Sequence, residues 1–392
     1  MKIGYHNDTY PHKRNIIDIL PNANYVKLYN PKKRNIFNLG NKVLRRRLFN
    51  TTDSSFSFRD FDLNRVDLMH FFNSISFGTT PWVTTFESIV PRFKCTLSCH
   101  HGCKCGYSSL MRKDKILKAL EAISSDSCKK LIAMSQCNLR MQIDFLRHFP
   151  GYHSGIERKL THLYPPQKLL VDDYKSKKLS LDGKIRFMFV GAAFFRKGGI
   201  ELLESFREAR RKSGYDLKLI IVSSLTIDNY ATKEKKRDVE KARKLIHENR
   251  DFVEYHGRLD NQRVLELMKT AHVGVLPTYA DTFGYSVLEF QAAGCPVIST
   301  NVRALPEINN NKMGWIIEVP KNRLGEAIYT STEDRAKISN AIKKGLTDAI
   351  ADIMKNRQSI YRKANASINH IKAAHSPEVY AKKLAELYRC SL

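Results

Sequence analysis

Two adjacent basic residues, Arg196 and Lys197, follow an apolar run that predicts a buried strand ending at Gly191. Gly198 and Gly199 come next and open an amphipathic helical segment. The first amides of a helix have no partner within it, and the helix dipole favours negative charge there. Two cations beside such amides could neutralise a diphosphate and stabilise negative charge that develops on it. This turn therefore predicts an anion site, although a solvated basic loop has the same composition.

A second strand, turn and helix lie between residues 273 and 294 and carry two carboxylates. Asp281 lies in the polar loop after the strand, and Glu289 lies inside the following helix. Carboxylates accept hydrogen bonds from sugar and ribose hydroxyls, while free amides at a helix start bind phosphate. Taken alone, the segment also fits a helix cap at Asp281 and a helix-surface carboxylate at Glu289. The residues that open this helix are Phe283, Gly284, Tyr285 and Ser286.

The elements that position these residues alternate along the chain as short apolar runs and longer helical stretches. This alternation predicts an α/β fold with parallel sheets and crossover helices. At 392 residues the chain exceeds the size of one compact core, so two domains are expected. The polar segment 165–183 predicts a linker between a first domain, 1–170, and a second domain, 184–376. The last segment, 377–392, is predicted to be a helix that packs back on the first domain through Val379, Leu384 and Leu387.

Charge is the unusual feature of the composition, because 66 Lys and Arg residues against 39 Asp and Glu residues leave a net charge of +27. The excess is strong in residues 1–50, where Arg45, Arg46 and Arg47 lie between apolar side chains. A solvated basic face is one interpretation. The other interpretation is a basic patch that binds an anionic membrane surface, and the membrane is then a partner of the protein.

No run of about 20 apolar residues predicts a membrane-spanning helix, and the N-terminal residues have no apolar run of signal-peptide length. A cytoplasmic location follows as the expectation, with peripheral binding to the inner face of the cytoplasmic membrane through the basic patch.

Eight cysteines occur in the chain, and four of them, Cys95, Cys99, Cys103 and Cys105, cluster around His100 and His101. Zinc sites need thiolate and imidazole ligands at regular spacings, and this spacing matches no standard zinc motif. Unpaired thiols are therefore favoured over a metal site, and no metal ligand is predicted.

The segment from about 185 to 320 resembles the retaining glycosyltransferase family 4. The family motif has two acidic residues with Phe-Gly between them, then small residues, Gly-x-Pro-Val and Pro-Glu. The matching residues here are Asp281, Phe283-Gly284, Leu288-Glu289, Ala292-Ala293-Gly294, Pro296-Val297 and Pro306-Glu307. The resemblance implies a GT-B fold, in which two Rossmann-like doubly wound domains face a cleft. It also implies transfer of a sugar from a nucleotide-diphospho-sugar with retained anomeric configuration, and neither a metal nor another cofactor.

By the same resemblance, Lys197 contacts the diphosphate, Glu289 accepts from the nucleotide ribose, and Arg258 lies near the base. The amides around Phe283 and Gly284 meet the donor sugar. The predicted catalytic residues are Lys197, Arg196, Asp281 and Glu87, and the predicted donor-binding residues are Glu289, Phe283, Gly284, Tyr285, Ser286, Arg258 and Gly191. The expected acceptor is a glycan or a lipid-linked saccharide, such as one used in bacterial surface polysaccharide biosynthesis.

The chain departs from the family at several positions. This chain has Asp281 where the family has its first glutamate. The family usually has an arginine five residues before the lysine, and that position here is Ala192. Arg196, the residue next to Lys197, could substitute for that arginine. The Gly-Gly pair that is common after the first strand is absent. Glu87 stands where many members have a histidine, and it could either accept from the acceptor hydroxyl or pair with Arg92 or Lys94.

Two other classes of protein remain as alternatives. A basic nucleic-acid-binding protein on an α/β scaffold fits the charge and the aromatic residues near basic ones. No nucleic-acid-binding motif occurs in the chain, so no specific nucleic acid is expected as a partner. A metal-dependent transferase would use the acidic triplet at Asp60-Phe61-Asp62, but this triplet does not follow a buried strand.

Overall fold

The computed structural model describes residues 1–29, 42, 53, 55–59, 63–100 and 106–392. The chain forms two compact units, one made of Met1–Pro166 together with Pro377–Leu392 and the other of Gln167–Ser376. The predicted membrane patch at Arg45–Arg47 lies outside the described residues, as do Cys103, Cys105 and the acidic triplet at 60–62.

The first unit is built on a six-stranded sheet in the order β2-β1-β4-β6-β7-β8, with parallel neighbours throughout. Two short strands, β3 and β5, pair separately. The strands are β1 (Lys2–Tyr5), β2 (Asn24–Lys27), β3 (Ser57–Phe58), β4 (Leu68–Phe72), β5 (Ile75–Ser76), β6 (Trp82–Phe86), β7 (Cys128–Ala133) and β8 (Leu160–His162). The helices before the second unit are α1 (Tyr10–Asn15), α2 (Lys94–His100), α3 (Asp114–Ser124), α4 (Gln136–Leu146) and α5 (Pro150–Glu157).

The second unit has a parallel six-stranded sheet in the order β11-β10-β9-β12-β13-β14. Its strands are β9 (Ile185–Ala193), β10 (Leu217–Ser224), β11 (Val253–His256), β12 (Val273–Leu276), β13 (Val297–Thr300) and β14 (Gly314–Ile317). Its helices are α6 (Gly199–Ser213), α7 (Lys236–Glu248), α8 (Asn261–Thr270), α9 (Tyr285–Ala292), α10 (Leu305–Ile308), α11 (Thr332–Lys355) and α12 (Gln358–Ala374). The predicted α/β fold with two Rossmann-like parallel sheets is confirmed.

The central strand of the second sheet is β9, which pairs with β10 on one side and with β12 on the other. Phe187 illustrates the double pairing, because it lies opposite Leu219 of β10 and Val273 of β12. The chain runs outward from β9 to β11 and then crosses back to β12, so the strand order reverses at β9. Ligands of open α/β sheets bind beyond the carboxyl ends of the strands at such a reversal. The loops after β9 and β12 are therefore placed where a ligand site is expected.

The segment predicted as a linker, 165–183, is bound to the second unit over most of its length. The amide of Leu170 donates to the carbonyl of Ala292 (2.9 Å), and Lys177 Nζ donates to the carbonyl of Ala271 (2.7 Å). Arg357 Nη1 donates to three successive carbonyl groups at 181–183. The boundary between the units accordingly follows Pro166, earlier than the predicted limits of 170 and 184, because these bonds hold the segment on the second unit.

The last helix, α13 (Pro377–Arg389), belongs to the first unit and packs on its sheet. Tyr380, Leu384 and Tyr388 are buried in a cluster with side chains from four strands. The sequence analysis placed Val379 on the packed side of this helix and did not include the two tyrosines. Val379 is 46% exposed, so this part of the prediction is wrong. A tyrosine fits this buried position because its hydroxyl finds a partner: Tyr388 Oη lies 2.6 Å from Nδ1 of His70.

The buried ring of His70 makes the first unit sensitive to acid. Burial, followed by the charge of His12, lowers the pKa of His70 to about 3. An unfolded histidine titrates near pH 6.5. Since the unfolded chain binds a proton that the folded chain excludes, His70 contributes its full share of stability above pH 6.5. That share is lost progressively as the pH falls from 6.5 toward 3, at up to about 1.4 kcal/mol per pH unit.

This loss can be measured by urea denaturation at several pH values between 7.5 and 4.5. We expect His70→Gln to show a shallower decline in the free energy of unfolding than the wild-type protein, because one group with a lowered pKa has been removed. The remaining slope comes partly from His12, whose pKa burial lowers to about 4. Equal slopes in the two proteins would show that His70 does not carry the effect.

Candidate active site

The turn after β9 places Lys197 at the start of α6. The turn closes through backbone bonds from Lys197 N to the carbonyl of Ala193 (3.0 Å) and from Gly198 N to the carbonyl of Phe195 (2.9 Å). Gly198 has a left-handed conformation with φ of 81°, and a Cβ atom there would lie 2.0 Å from the carbonyl oxygen of Pro277. The missing side chain therefore lets this turn contact the residue that follows β12.

The loop after β12 is bonded directly to the same turn. The amide of Tyr279 and the hydroxyl of Thr278 both donate to the carbonyl of Arg196, at 2.9 and 3.2 Å. Thr300, at the end of β13, donates to the carbonyl of Thr278 (2.8 Å). The two loops that the sequence singled out are thus joined into one structure at the reversal of the strand order.

Lys197 and Asp281 form an ion pair across these loops, between Nζ and Oδ2. Both side chains are only 13% exposed. Burial alone would raise the pKa of the Asp281 carboxyl group. The charge of Lys197 and its hydrogen bond outweigh burial and, with the charge of Arg196, hold that pKa below its ordinary value. Asp281 is therefore ionised at neutral pH and serves as the counter-ion of Lys197 in this structure.

Arg196 has a different counter-ion, which the sequence did not indicate. Its Nε donates to Oδ2 of Asp228 (2.7 Å), and its Nη1 donates to the carbonyl of Ala280 (3.3 Å). The guanidinium carbon also lies 5.4 Å from the centre of the Tyr230 ring. Asp228 and Tyr230 lie in the polar loop after β10. Their position beyond a strand that neighbours β9 is the one feature that could have indicated a role at this site.

The start of α9 combines a buried aromatic ring with a glycine at the N-cap position. Phe283 is buried, so its side chain belongs to the core and only its backbone can contact a ligand. Gly284 is the N-cap with φ of 94°, and a Cβ atom there would lie 2.4 Å from Cδ2 of Leu305. Since glycine has no side chain, it does not cap the first amides of the helix. Tyr285 and Ser286, both partly exposed, form the first turn.

The remaining donor-binding predictions fall into different places. Glu289 is buried on α9, one turn after Tyr285. Gly191 packs against the stem of Lys197, because a Cβ atom there would lie 3.0 Å from Cγ of Lys197. Arg258 is exposed after β11, the edge strand, and one strand, β10, separates β11 from β9. Six of the seven predicted donor residues thus lie in β9, in the turn after β12 or on α9, and Arg258 is the exception. Gly191 lies within β9, which continues to Ala193, beyond the predicted end of the strand.

Glu87 lies in the first unit, just after β6, and its carboxylate pairs with Arg92 (2.7 Å). The amide of Glu87 donates to Oδ1 of Asn73 (3.1 Å), and Asn138 donates to the carbonyl of Glu87 (2.5 Å). Of the two pairing partners considered from the sequence, Arg92 is the one found. The catalytic role of Glu87 stays a prediction.

Two properties of the described residues bear on the remaining predictions. Within the ranges that the structure describes, no group of three His, Cys, Asp or Glu side chains is placed to hold a metal ion. In the same ranges, none of the helices combines the length and apolar character needed to cross a membrane.

The fold that these units define is that of the GT-B glycosyltransferases. The chain is similar to sucrose-phosphate synthase of Thermosynechococcus elongatus, with a TM-score of 0.57 and 16% identity over 99% of this chain and 88% of the other. It is also similar to HepE of Anabaena, solved in complex with UDP and glucose, with a TM-score of 0.59 and 13% identity over 99% of each chain. The predicted GT-B fold is confirmed.

Residues 171–348, all within the second unit, match the family model described as glycosyl transferases group 1. Over 135 residues the chain is 33% identical to a GDP-Man:Man(3)GlcNAc(2)-PP-Dol alpha-1,2-mannosyltransferase of Neurospora crassa, covering 34% of this chain and 22% of that protein. Over 131 residues it is 30% identical to the capsular polysaccharide biosynthesis glycosyltransferase CapM of Staphylococcus aureus, covering 33% of this chain and 32% of the other. The matched region spans only about a fifth to a third of these relatives. The resemblance to glycosyltransferases is confirmed for this region.

Proposed function

We propose that the protein is a metal-independent, retaining glycosyltransferase that moves a sugar from a nucleotide-diphospho-sugar to a glycan or lipid-linked saccharide. The observation that carries the proposal is the pairing of Lys197 with Asp281 at the reversal of the strand order, beside Arg196. Two cations and a carboxylate meet there, inside the region that matches the glycosyl transferases group 1.

In this proposal Lys197 and Arg196 bind the diphosphate of the donor. When the bond from the sugar to the diphosphate breaks, negative charge develops on the leaving group, and cations already fixed nearby stabilise it without reorganising. The same two side chains supply the positive charge that a metal ion supplies in other phosphoryl and glycosyl transfers. No metal ion is then required for departure of the diphosphate.

The carboxylates have separate tasks. The diphosphate replaces Asp281 as the partner of Lys197, and Asp281 then accepts from a hydroxyl of the donor sugar. Glu289 accepts from the ribose, where a buried carboxylate discriminates strongly in favour of a hydroxyl donor. The amides at the start of α9 bind the oxygen atoms of the donor.

The acceptor is assigned to the first unit, where Glu87 and Asn73 lie just beyond the carboxyl ends of neighbouring strands. The basic excess of residues 1–50 favours an acceptor that carries phosphate at an anionic membrane surface, on the cytoplasmic side. CapM, named for capsular polysaccharide biosynthesis, supports a role in bacterial surface polysaccharide assembly.

A thermal-shift screen tests the donor half of the proposal. We expect one of UDP, GDP, ADP, dTDP and CMP to raise the melting temperature, because a ligand at 100 times its Kd adds about 2.7 kcal/mol to the free energy of unfolding. Inorganic phosphate and duplex DNA serve as controls. A salt-sensitive shift with DNA and none with any nucleotide would contradict the proposal and favour the nucleic-acid-binding alternative.

A further inference from the structure

The loop between β10 and α7, residues 225–235, is organised around one buried carboxylate. Oε1 of Glu234 accepts from the amides of Asp228 (2.6 Å) and Asn229 (3.3 Å), and Oε2 accepts from the hydroxyl of Thr232 (2.8 Å). Glu234 itself is buried. A carboxylate with three donors fixes the backbone on both sides of Tyr230, so this loop has a defined shape although it has no regular secondary structure.

This defined shape brings two side chains to Arg196. Asp228 accepts from Nε, and its other oxygen accepts from the amide of Tyr230 (3.0 Å), so the carboxylate cannot turn away freely. The ring of Tyr230 lies against the guanidinium group and is itself 6.0 Å from the ring of Tyr329. The carbonyl of Ala280 accepts from Nη1 on another side. Arg196 is thus held at Nε, at Nη1 and on one face.

The contacts leave donors for a ligand. A guanidinium group has five N–H donors, and the bonds to Asp228 and Ala280 use two of them within the described part of the chain. A planar group with its remaining donors fixed in direction can bind two phosphate oxygens at once, which an ammonium group cannot do. Holding the side chain in advance also avoids the loss of rotamer entropy when the ligand binds.

The ion pair between Arg196 and Asp228 is partly buried. Arg196 and Asp228 are each 27% exposed in their side chains. Burial would raise the pKa of Asp228, but the hydrogen bond from Arg196 and the amide of Tyr230 lower it overall. The carboxylate is therefore ionised at neutral pH and is the counter-ion of Arg196 through the Nε atom.

We propose that Asp228 and Tyr230 are positioning residues that hold the Arg196 guanidinium for the diphosphate of the donor. This inference rests on the proposed function. It also explains how an arginine adjacent to the lysine replaces one five residues earlier, because the loop after β10 supplies the support that the new position needs.

The test measures binding of inorganic pyrophosphate, and of the nucleoside diphosphate that gives the thermal shift, by isothermal titration calorimetry. Asp228→Asn keeps the shape of the side chain but removes its charge and replaces one of its two acceptor oxygens by an NH2 donor. When the remaining oxygen accepts from the amide of Tyr230, this donor faces Nε of Arg196. We expect both Kd values to rise roughly tenfold, as for loss of a charge-assisted contact, with Arg196→Ala at least as strong. In the double variant the Asp228 change should add nothing to Arg196→Ala, because Asp228 acts through Arg196.

The chain offers a matched control in the same unit. Arg210 Nη2 pairs with Asp251 (3.0 Å), and its guanidinium carbon lies 5.3 Å from the Phe252 ring, so an arginine, an aspartate and an aromatic ring meet there as well. Asp251→Asn should leave both Kd values within about twofold of wild type. Arg196→Lys provides a second variant that keeps a positive charge at this position and leaves Asp228 in place, and it should bind pyrophosphate nearly as weakly as Arg196→Ala because it lacks the planar fork.

The outcomes separate the two proposals. Wild-type protein that binds neither pyrophosphate nor any nucleoside diphosphate contradicts the proposed function. Wild-type binding with unchanged or tighter binding in Asp228→Asn overturns the inference alone, as does an independent loss of affinity in the double variant. A loss in Asp228→Asn that disappears in the Arg196→Ala background supports it.

Discussion

Replacing Lys197 with alanine is expected to lower kcat by roughly 10²–10³-fold, with a smaller change in the donor KM. The ammonium group interacts with the diphosphate in both the bound donor and the transition state, but the charge on the leaving oxygen grows as the glycosidic bond breaks. The interaction is therefore stronger in the transition state, and its loss falls mainly on kcat. The measurement is release of the nucleoside diphosphate from the donor sugar whose base gives the thermal shift.

The variant also removes the counter-ion of Asp281. With that ammonium group absent, burial acts on the carboxylate with less opposition, so the pKa of Asp281 rises. We therefore expect the residual activity of Lys197→Ala to be lost at a higher pH than wild-type activity as the medium is acidified. Asp281→Asn in the same background should abolish this difference in the pH profile.

Lys241 provides the control, because its Nζ pairs with Glu204 (2.6 Å) in the same unit and its side chain is 53% exposed. Lys241→Ala should leave kcat within about twofold, as expected for an exposed ion pair. If Lys197→Ala keeps nearly all of the activity while Arg196→Ala loses it, the electrostatic role belongs to Arg196. If both single variants are fully active, the proposed departure of a diphosphate at this site is wrong.

The two turns of the site were predictable because local signals define them. An apolar run, a glycine and a helix start follow one another at Gly191–Gly199, and the same order occurs between β12 and α9. Such signals depend on residues close to one another in the sequence, so they can be recognised without knowledge of the tertiary structure. They also explain why the sheet class was predicted, since parallel strands alternate with helices along the chain.

The ion pairs of the site could not be predicted in the same way. Lys197 and Asp281 are 84 residues apart, and Arg196 and Asp228 are 32 residues apart. Each pair forms only because β9 lies between β10 and β12, and that strand order is not encoded in any local pattern. Asp228 looked like one polar residue in a polar loop. The physical information that identifies it is its position beyond a strand adjacent to β9.

Gly198→Ala is expected to reduce the free energy of unfolding of the second unit by roughly 2–5 kcal/mol and to impair catalysis as well. A left-handed φ of 81° strains any residue that has a Cβ atom, and here that atom would lie 2.0 Å from the carbonyl oxygen of Pro277. A backbone atom cannot rotate aside as the end of a side chain can. The turn after β9 and the loop after β12 would therefore have to move apart.

Gly214, which ends the helix that Gly198 begins, separates strain from contact. Its φ is 61°, but a Cβ atom there would meet nothing within 4 Å. Gly214→Ala should therefore lose only about 1 kcal/mol, in line with left-handed strain alone, and should keep normal kcat. Urea denaturation and steady-state kinetics of the two variants measure both effects.

If the two variants are equally stable, the approach of Pro277 to Gly198 contributes nothing to the free energy of unfolding. If Gly198→Ala is unstable but fully active when folded, the contact between the loops supports the fold without positioning Lys197. A joint loss of stability and kcat in Gly198→Ala alone is expected, because a displacement of about 1 Å can reduce a rate by 10²-fold and Lys197 is the residue next to the strained one.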